Sequence, residues 1–431
     1  MRKILFLIIT IFLFSEKAFA VKLSEALLQA YNDNLILNAE RENLDISKEN
    51  INISKSQFLP TMTITGTKSK EDTNKLTNQS GISQSINDAN PLTKTFLIEQ
   101  TLFDGKGRIN DLKKNELGLD LARVKILKTE QETLFKAIEA YTGLTVANKK
   151  LSINKKNLNL LYRQVENDKE RLERGRITIA DLAQSESSLA GAQAKLIEAQ
   201  NNIITSKLIY ENIIGTLKSN TFKENIDIFP KIPKSLFEAN NISNKSSPNL
   251  IIARLEYEQS QKDTKISQSD LFPSATLSFE ANQSEDLSSI YDEKEKTTFK
   301  ATIKWPFYTG GKNRAIINKN KNINNQKKLL MISATKTNTA NVTSAWSSLQ
   351  SSKSFLNSII SQVKAAKIAN DGIKAEYELG NGRSTLDVIQ SNTILLNAKI
   401  TLADSERNYL LSKFKLLDRI GLLTIKHLKI R

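Results

Sequence analysis

The sequence contains no cysteine and only one histidine, His427. Without cysteine, a disulfide framework and a lipid-bearing N-terminal cysteine are both excluded. A single histidine excludes a histidine-based catalytic triad, a multi-histidine metal site and a zinc protease. Since no other catalytic constellation is recognisable, we expect a protein that is not an enzyme and that uses no cofactor and no metal.

Long hydrophobic runs are also scarce, and the clearest one lies near the N-terminus. Two basic residues precede an apolar run from Ile4 to Phe14, and Ala18-Phe19-Ala20 gives the small-x-small pattern of a cleavage site. This run is too short to span a bilayer comfortably, because a spanning helix needs about 20 apolar residues. We therefore expect residues 1–20 to be a signal peptide that directs export across a membrane.

Aromatic residues make up 6% of the chain, whereas basic residues are in excess, with a formal net charge of +16. The low aromatic content argues against a large globular core and favours long helices packed side by side. A basic excess can indicate nucleic acid binding. The expected export signal and the dispersal of the basic residues along helices argue against it, so we expect no nucleic acid partner.

The seven prolines are unevenly distributed, and two long tracts contain none, residues 107–216 and 307–431. Because a proline inside a helix costs about 3 kcal/mol, these are the tracts where uninterrupted helices can form. Residues 107–173 predict one helix, which at about 1.5 Å per residue would extend on the order of 100 Å. No ordinary globular domain contains a helix of this length.

Large residues recur every seven positions near the C-terminus, and small residues follow them at an offset of three. The large residues are Val388, Leu395, Leu402, Tyr409, Leu416 and Leu423, and the small ones are Ser391, Ala398, Ser405 and Ser412. The same rows occur 206 residues earlier, from Leu182 to Leu217. A period of about 3.5 residues is typical of helices that pack closely against other helices. The sequence therefore predicts one structural unit that occurs twice.

Four segments alternate between apolar and polar residues, as β-strands with two different faces do. They are residues 61–67, 92–103, 274–281 and 298–307. Strands of about ten residues fit a membrane crossing, and a sheet in lipid must close because unpaired edge groups are costly there. Four strands are too few to close a barrel, so we expect copies of the chain to share one. The alternative is a small soluble sheet that caps a coiled coil.

These elements divide the chain into two repeats, each with a strand pair and a long antiparallel helical hairpin. After the signal peptide at 1–20, the first repeat covers 21–217, with a strand pair at 60–103 and a hairpin at 107–217. A link at 218–247 joins it to the second repeat at 248–423, which has a strand pair at 273–307 and a hairpin at 311–423. A short tail at 424–431 follows. Each repeat is expected to begin with one helix, at about 23–58 and 249–271. The link is expected to be irregular, and the polar segments 68–91 and 284–296 to be loops.

Several short motifs, two of which occur in both repeats, resemble those of the TolC-like outer-membrane efflux and secretion channels. They are Phe-Leu-Pro at 58–60 and Leu-Phe-Pro at 271–273, WPFYTGG at 305–311, the turns ITIADL and STLDV, and SERNYLLSKFKLLDRIGLL at 405–423. The resemblance covers nearly all of the chain after residue 20. It implies a mainly α-helical homotrimer with a twelve-strand β-barrel in the outer-membrane lipid and an α-helical barrel in the periplasm.

The resemblance also implies a function in export. Such channels expel small molecules or proteins together with an inner-membrane transporter of the ABC or RND type and a periplasmic adaptor (a membrane fusion protein), in multidrug efflux or type I secretion. The alternative is a periplasmic adaptor or a coiled-coil interaction protein without a pore. An adaptor would carry one helical hairpin between compact β-domains, whereas this sequence predicts two hairpins.

Two residues match positions that line the periplasmic constriction of the family. Asp387 matches a position that forms an acidic ring, where three carboxylates facing one axis would repel each other, raise their own pKa values and attract cations. A well-known member of the family has a second acidic residue where this chain has Gln390, so a weaker acidic constriction is expected. The alternative is that Asp387 only stabilises the start of a helix through the helix dipole.

Three further residues match a contact that holds the inner hairpin to the outer one in the closed state. Tyr377 and Arg383 match residues of the inner hairpin, and their expected partner is Asp181 on the first hairpin. An ion pair between Arg383 and Asp181 would be a charge-assisted hydrogen bond. The alternative is that Arg383 is simply a turn residue in a basic chain.

Overall fold

The computed structural model of the chain describes residues 21–430, except 73–74, 76, 78, 84–89, 218–223, 229, 287–291 and 381. The expected signal peptide therefore lies outside the described residues, as do parts of both expected polar loops and of the link. In the described ranges the chain is mainly helical, with a four-stranded antiparallel sheet. No described helix combines the length and the apolar character that crossing a membrane requires.

The described secondary structure follows the expected order of helix, strand pair and long hairpin, and then repeats it. The helices are α1 (Leu23–Asp33), α2 (Leu35–Ser56), α3 (Gly107–Glu173), α4 (Ile179–Ile213), α5 (Leu236–Ser246), α6 (Pro248–Ser269), α7 (Lys312–Glu378), α8 (Thr385–Ile420) and α9 (Ile425–Leu428). The strands are β1 (Val21–Lys22), β2 (Thr61–Lys68), β3 (Leu92–Asp104), β4 (Glu224–Asn225), β5 (Ser274–Glu285) and β6 (Glu293–Lys304). Both α3 and α7 contain 67 residues, which confirms the long helices predicted from the proline-free tracts.

The first expected helix, over 23–58, is in fact two helices that meet at Asn34. Asn34 is extended, with φ −67° and ψ 118°, and its side chain accepts a hydrogen bond from the Leu37 N–H at 3.0 Å. This side chain therefore satisfies a free N–H group in the first turn of α2 and starts a new helix. A prediction from periodicity alone misses such a break, because the apolar pattern continues across it.

The expected irregular link is also partly wrong, since it contains α5. Ser235 caps this helix by accepting a hydrogen bond from the Glu238 N–H at 3.1 Å. Ser247, with φ −64° and ψ 116°, then separates α5 from α6, and Pro248 begins α6, where its missing N–H costs nothing. The pair α5–α6 thus repeats the pair α1–α2, with almost the same backbone angles at the break.

The four-stranded sheet has the order β2-β3-β5-β6, and every neighbouring pair is antiparallel. The register places most apolar residues of the four strands on one face, among them Ile64, Phe96, Phe279 and Phe299, whereas Leu97 lies on the other. The opposite face is polar and rich in threonine and serine. The two strand pairs predicted from alternation are therefore neighbours in one sheet, joined through β3 and β5.

Three strand boundaries differ from the prediction by more than one residue. β5 continues to Glu285 and β6 starts at Glu293, so part of the segment expected to be a loop is paired strand. Its polar composition hides the pairing, since only one residue in two needs to be apolar on a sheet with one polar face. At its other end β6 stops at Lys304, before Pro306, which cannot donate a ladder hydrogen bond.

The described residues form two compact units. One contains the described residues up to Asn38, Lys128–Ser247 and the part from Thr339 onwards, and the other contains Ala39–Leu127 and Pro248–Asn338. The sheet belongs to the second unit. There the neighbouring helices are joined largely by polar contacts, namely Ser54 Oγ to Asp111 Oδ2 at 2.6 Å, Lys114 to Asp263 at 2.7 Å and Lys327 to Glu256 at 2.8 Å.

The first unit contains the hydrophobic core, formed by α1, α3, α8 and the C-terminal residues. Leu23, Leu134, Phe414 and Leu423 are fully buried in it. Tyr141 on α3 is also fully buried, and its hydroxyl group donates to the Val21 carbonyl at 2.6 Å and accepts from the Asn225 N–H at 3.0 Å. Tyr141 therefore holds together the short parallel pair of β1 and β4.

Replacing Tyr141 with phenylalanine should destabilise this unit. The substitution leaves the Asn225 N–H without the hydroxyl that it binds, and a buried unsatisfied group costs about 1–3 kcal/mol. Guanidinium denaturation followed by circular dichroism of the purified protein measures the loss. As a control, Tyr308→Phe should change stability by less than about 0.5 kcal/mol, because Tyr308 is 83% exposed. Equal stability of the two variants would contradict the role assigned to Tyr141.

Candidate functional site

Each long hairpin ends in a tight turn that is closed by a capping box. In the first hairpin, the Thr178 hydroxyl accepts from the Asp181 N–H at 3.2 Å, and Asp181 Oδ2 accepts from the Thr178 N–H at 3.0 Å. In the second, Ser384 and Asp387 make the same two contacts at 3.2 and 2.9 Å. The motifs ITIADL and STLDV are therefore helix starts, in which the aspartate at the third helical position binds back to the cap.

The capping box determines the electrostatics of both aspartates within one chain. The hydrogen bond from the Ser384 backbone N–H, followed by the one from its hydroxyl, lowers the pKa of Asp387 below its usual range. Thr178 lowers the pKa of Asp181 in the same way. The rise in pKa that we expected for Asp387 depends on three copies facing one axis. It stays a prediction, and it would have to overcome this local stabilisation of the charged form. Gln390 is exposed on the first turns of α8.

Tyr377 is buried near the end of α7 and contacts the first hairpin. Its hydroxyl donates to Asp168 Oδ1 at 2.9 Å and lies 3.0 Å from the Thr385 hydroxyl. The guanidinium group of Arg171 lies 4.1 Å from the centre of the Tyr377 ring, within the range of a cation–π contact. Burial raises the pKa of Tyr377, so the hydroxyl remains a hydrogen-bond donor at neutral pH.

Asp168 on α3 is the centre of this contact. It is fully buried, and its carboxylate also accepts from Ser185 Oγ at 2.5 Å and from Gln164 Nε2 at 3.0 Å. A buried charge is tolerated when hydrogen bonds satisfy it, as they do here from both hairpins. We name Asp168, Ser185, Tyr377 and Thr385 the junction cluster.

The expected ion pair between Arg383 and Asp181 is not formed in this structure. Arg383 Nε instead binds Glu376 Oε2 at 2.6 Å, on the exposed surface of its own hairpin. Asp181 is occupied by Thr178 in its capping box. Both groups thus find partners a few residues away, and these contacts require no alignment of two hairpins. The expected link to the first hairpin is made by Tyr377, with Asp168 in place of Asp181.

Sequence reasoning missed Asp168, although a signal for it exists. Val165 and Leu172 are large residues seven positions apart on α3, as in a packing row, and Asp168 follows Val165 by three positions on the same helix face. A carboxylate on a packing face needs a buried partner, and Ser185 in the small row of α4 supplies one. Asn370 makes a comparable buried contact in the second hairpin, with Ser391 Oγ at 3.0 Å.

The described residues also bear on metal binding. In the ranges that the structure covers, no group of three or more histidine, aspartate or glutamate side chains is arranged to hold a metal ion. The chemistry of the junction cluster is instead that of a satisfied buried carboxylate. Such a cluster can hold two hairpins together.

The chain is similar in sequence to known outer-membrane proteins. The family described as "Outer membrane efflux protein" matches residues 26–216 and 241–421, which is most of the chain and both repeats. The outer membrane efflux protein BepC of Brucella suis biovar 1 (strain 1330) is 25% identical over 418 residues, covering 96% of this chain and 88% of BepC. The outer membrane protein TolC of Escherichia coli (strain K12) is 24% identical over 448 residues, covering 98% of this chain and 87% of TolC.

Solved structures show the same fold. The outer membrane protein VceC from Vibrio cholerae superposes with a TM-score of 0.81 at 15% identity, covering 93% of this chain and 96% of VceC. The open state of the MtrE outer membrane channel of Neisseria gonorrhoeae gives a TM-score of 0.74 at 15% identity, covering 93% of this chain and 89% of MtrE.

These matches confirm the resemblance inferred from the motifs and the fold class of long helices with four antiparallel strands. They also confirm an outer-membrane export channel that reaches into the periplasm, and a transport protein in place of an enzyme. The alternative of an adaptor or coiled-coil protein without a pore is therefore set aside. The chain belongs to the outer membrane efflux protein family.

Proposed function

We propose that three copies of the chain form one channel, in which their sheets join into a twelve-strand barrel. The observation that carries this proposal is the open four-stranded sheet of a chain that belongs to an outer-membrane family. Its edge strands are β2 and β6, and an unpaired edge cannot persist in lipid, where each unsatisfied backbone group costs several kcal/mol. Pairing β6 of one copy with β2 of the next would satisfy both edges.

The exposed side chains of the sheet support the same arrangement. Met62, Ile64, Phe299 and Ile303 lie on the apolar face and are 65–82% exposed in the single chain. Such a face is stable against lipid and unfavourable against water. On α4, Ile197, Ile204 and Leu208 are 59–62% exposed and follow heptad spacing, as expected for a helix that packs against another copy.

We further propose that the ends of the hairpins form the periplasmic gate, with Asp387 and Gln390 lining its narrowest part. The junction cluster would be the latch of this gate, because Tyr377 joins the second hairpin to Asp168 of the first. Opening would break this hydrogen bond. Drugs or secreted proteins would then pass when a periplasmic adaptor and an inner-membrane transporter of the ABC or RND type dock. The two repeats, with the link at 218–247 between them, would form the wall of the channel.

Trimer assembly has a direct test. Outer-membrane fractions loaded on an SDS gel without heating should show an SDS-resistant trimer, and heating should convert it to monomer, because closed barrels with fully paired strands resist SDS. A band at the monomer position before heating, or recovery of the chain as a soluble periplasmic protein, would contradict the proposal.

The latch should be measurable as single-channel conductance in planar bilayers. Tyr377→Phe removes the hydroxyl that binds Asp168 while keeping the ring that stacks with Arg171. Since a hydrogen bond to a charged group contributes about 1.5–3 kcal/mol, the open state should become at least about tenfold more populated. Asp168→Asn should act in the same direction, and the double variant should add less than the sum of the two.

The matched control for the latch is Tyr162→Phe, an exposed tyrosine on the same helix as Asp168. This variant should conduct like the wild type. If Tyr377→Phe and Asp168→Asn also conduct like the wild type, the junction cluster is not the latch. In that case the trimer and its barrel remain supported by the gel experiment.

A further inference from the structure

The polar face of β6 carries a column of lysines. Alternation along the strand places Lys294, Lys296, Lys300 and Lys304 on the same face as Thr298 and Thr302, opposite the apolar face. All four lysines are exposed, and none makes an ion pair with another residue in the described part of the chain. At about 3.3 Å per residue, the column extends over roughly 30 Å, comparable to the hydrocarbon thickness of a bilayer.

Few negative charges face this column within the sheet. The register places Glu280 opposite Thr298 and Glu99 opposite Ser278 on the polar face. After the irregularity in β3, Asp104 also lies on this face, opposite Ser274. Arg108 pairs with Asp104, so the four lysines face the two glutamates, which leaves two positive charges in excess on each chain. The other face differs, since Lys94 there is paired with Glu285 at 2.9 Å.

The next strand around a closed barrel would not neutralise the column. If β6 pairs with β2 of another copy, its lysines meet the polar face of β2. That face consists of Thr61, Thr63, Thr65 and Thr67, without a carboxylate. Facing the lysines outward would be costly, because a lysine on the lipid face of a barrel costs about 2–4 kcal/mol at the membrane midplane. The lysines would therefore line the aqueous interior.

We propose that the lysine column of β6 makes the barrel interior attract anions, so that small anions and anionic cargo are enriched there. This inference rests on the proposed trimeric channel. Rings of basic side chains select anions in pores because the local potential concentrates the opposite charge. The barrel would then favour the charge opposite to that attracted by Asp387, so the barrel and the gate would differ in selectivity.

The test is the reversal potential of single channels in planar bilayers under a gradient of potassium chloride. The variant carries Lys294→Gln, Lys296→Gln, Lys300→Gln and Lys304→Gln, and the matched control carries arginine at the same four positions. Both are measured with Asp387→Asn added, so that the gate does not mask the barrel. Compared with the channel that carries Asp387→Asn alone, the glutamine variant should have a chloride-to-potassium permeability ratio at least about twofold lower near 0.1 M salt. The difference should be smaller near 1 M salt, because the Debye length falls from about 10 Å to about 3 Å.

The arginine control should have the same permeability ratio as the channel that carries Asp387→Asn alone, because arginine keeps the positive charge at all four positions. If the glutamine variant does not assemble, Lys300→Gln alone should give a smaller shift in the same direction. If the glutamine variant conducts with an unchanged permeability ratio, the barrel does not attract anions through these lysines. The same conclusion holds if only Lys300→Gln conducts and its ratio is unchanged. In both cases the proposed channel itself is not contradicted. A parent protein that forms no channel at all would instead refute the proposed function.

Discussion

Unpaired backbone groups at the edges of a short sheet constrain this protein more than any other feature. Four antiparallel strands leave β2 and β6 with open edges, and their apolar face is exposed in the single chain. Water can satisfy such edges, but lipid cannot. In the trimer that we propose, strands from further copies would satisfy these edges.

Buried polar groups constrain the helical part in a similar way. α3 and α7 bury several threonine and asparagine side chains, some of which bind helix carbonyls or another side chain. Asp168 is the extreme case, because a buried carboxylate requires several donors. It draws them from both hairpins, so the ends of the hairpins are joined by a contact that is strong when complete and easily disrupted by one missing donor.

The charges of the chain are arranged in two distinct ways. On the helical hairpins, several charged side chains bind partners close by, as Asp387 binds Ser384 and Arg383 binds Glu376. On β6, four lysines share one face, and none of them forms an ion pair among the described residues. A part of the positive net charge therefore lies on one face of β6, because alternation along the strand places these lysines on the same side. The rest is spread over solvated helices.

The sequence by itself determined the features that depend on periodicity and on local backbone chemistry. The absence of proline, the heptad rows and the alternation of polar and apolar residues predicted both 67-residue helices, the four strands and the duplication. These patterns did not predict the break at Asn34 or helix α5, because a helix cap formed by one side chain does not interrupt the periodicity of the sequence. Only the tertiary structure decided that Tyr377 binds Asp168 and that Arg383 and Asp181 stay apart. The spacing of residues in the sequence predicts which face of a helix is buried. The partner of a polar side chain, however, is the residue of another helix that comes within about 3 Å of it, and residue spacing does not predict that distance.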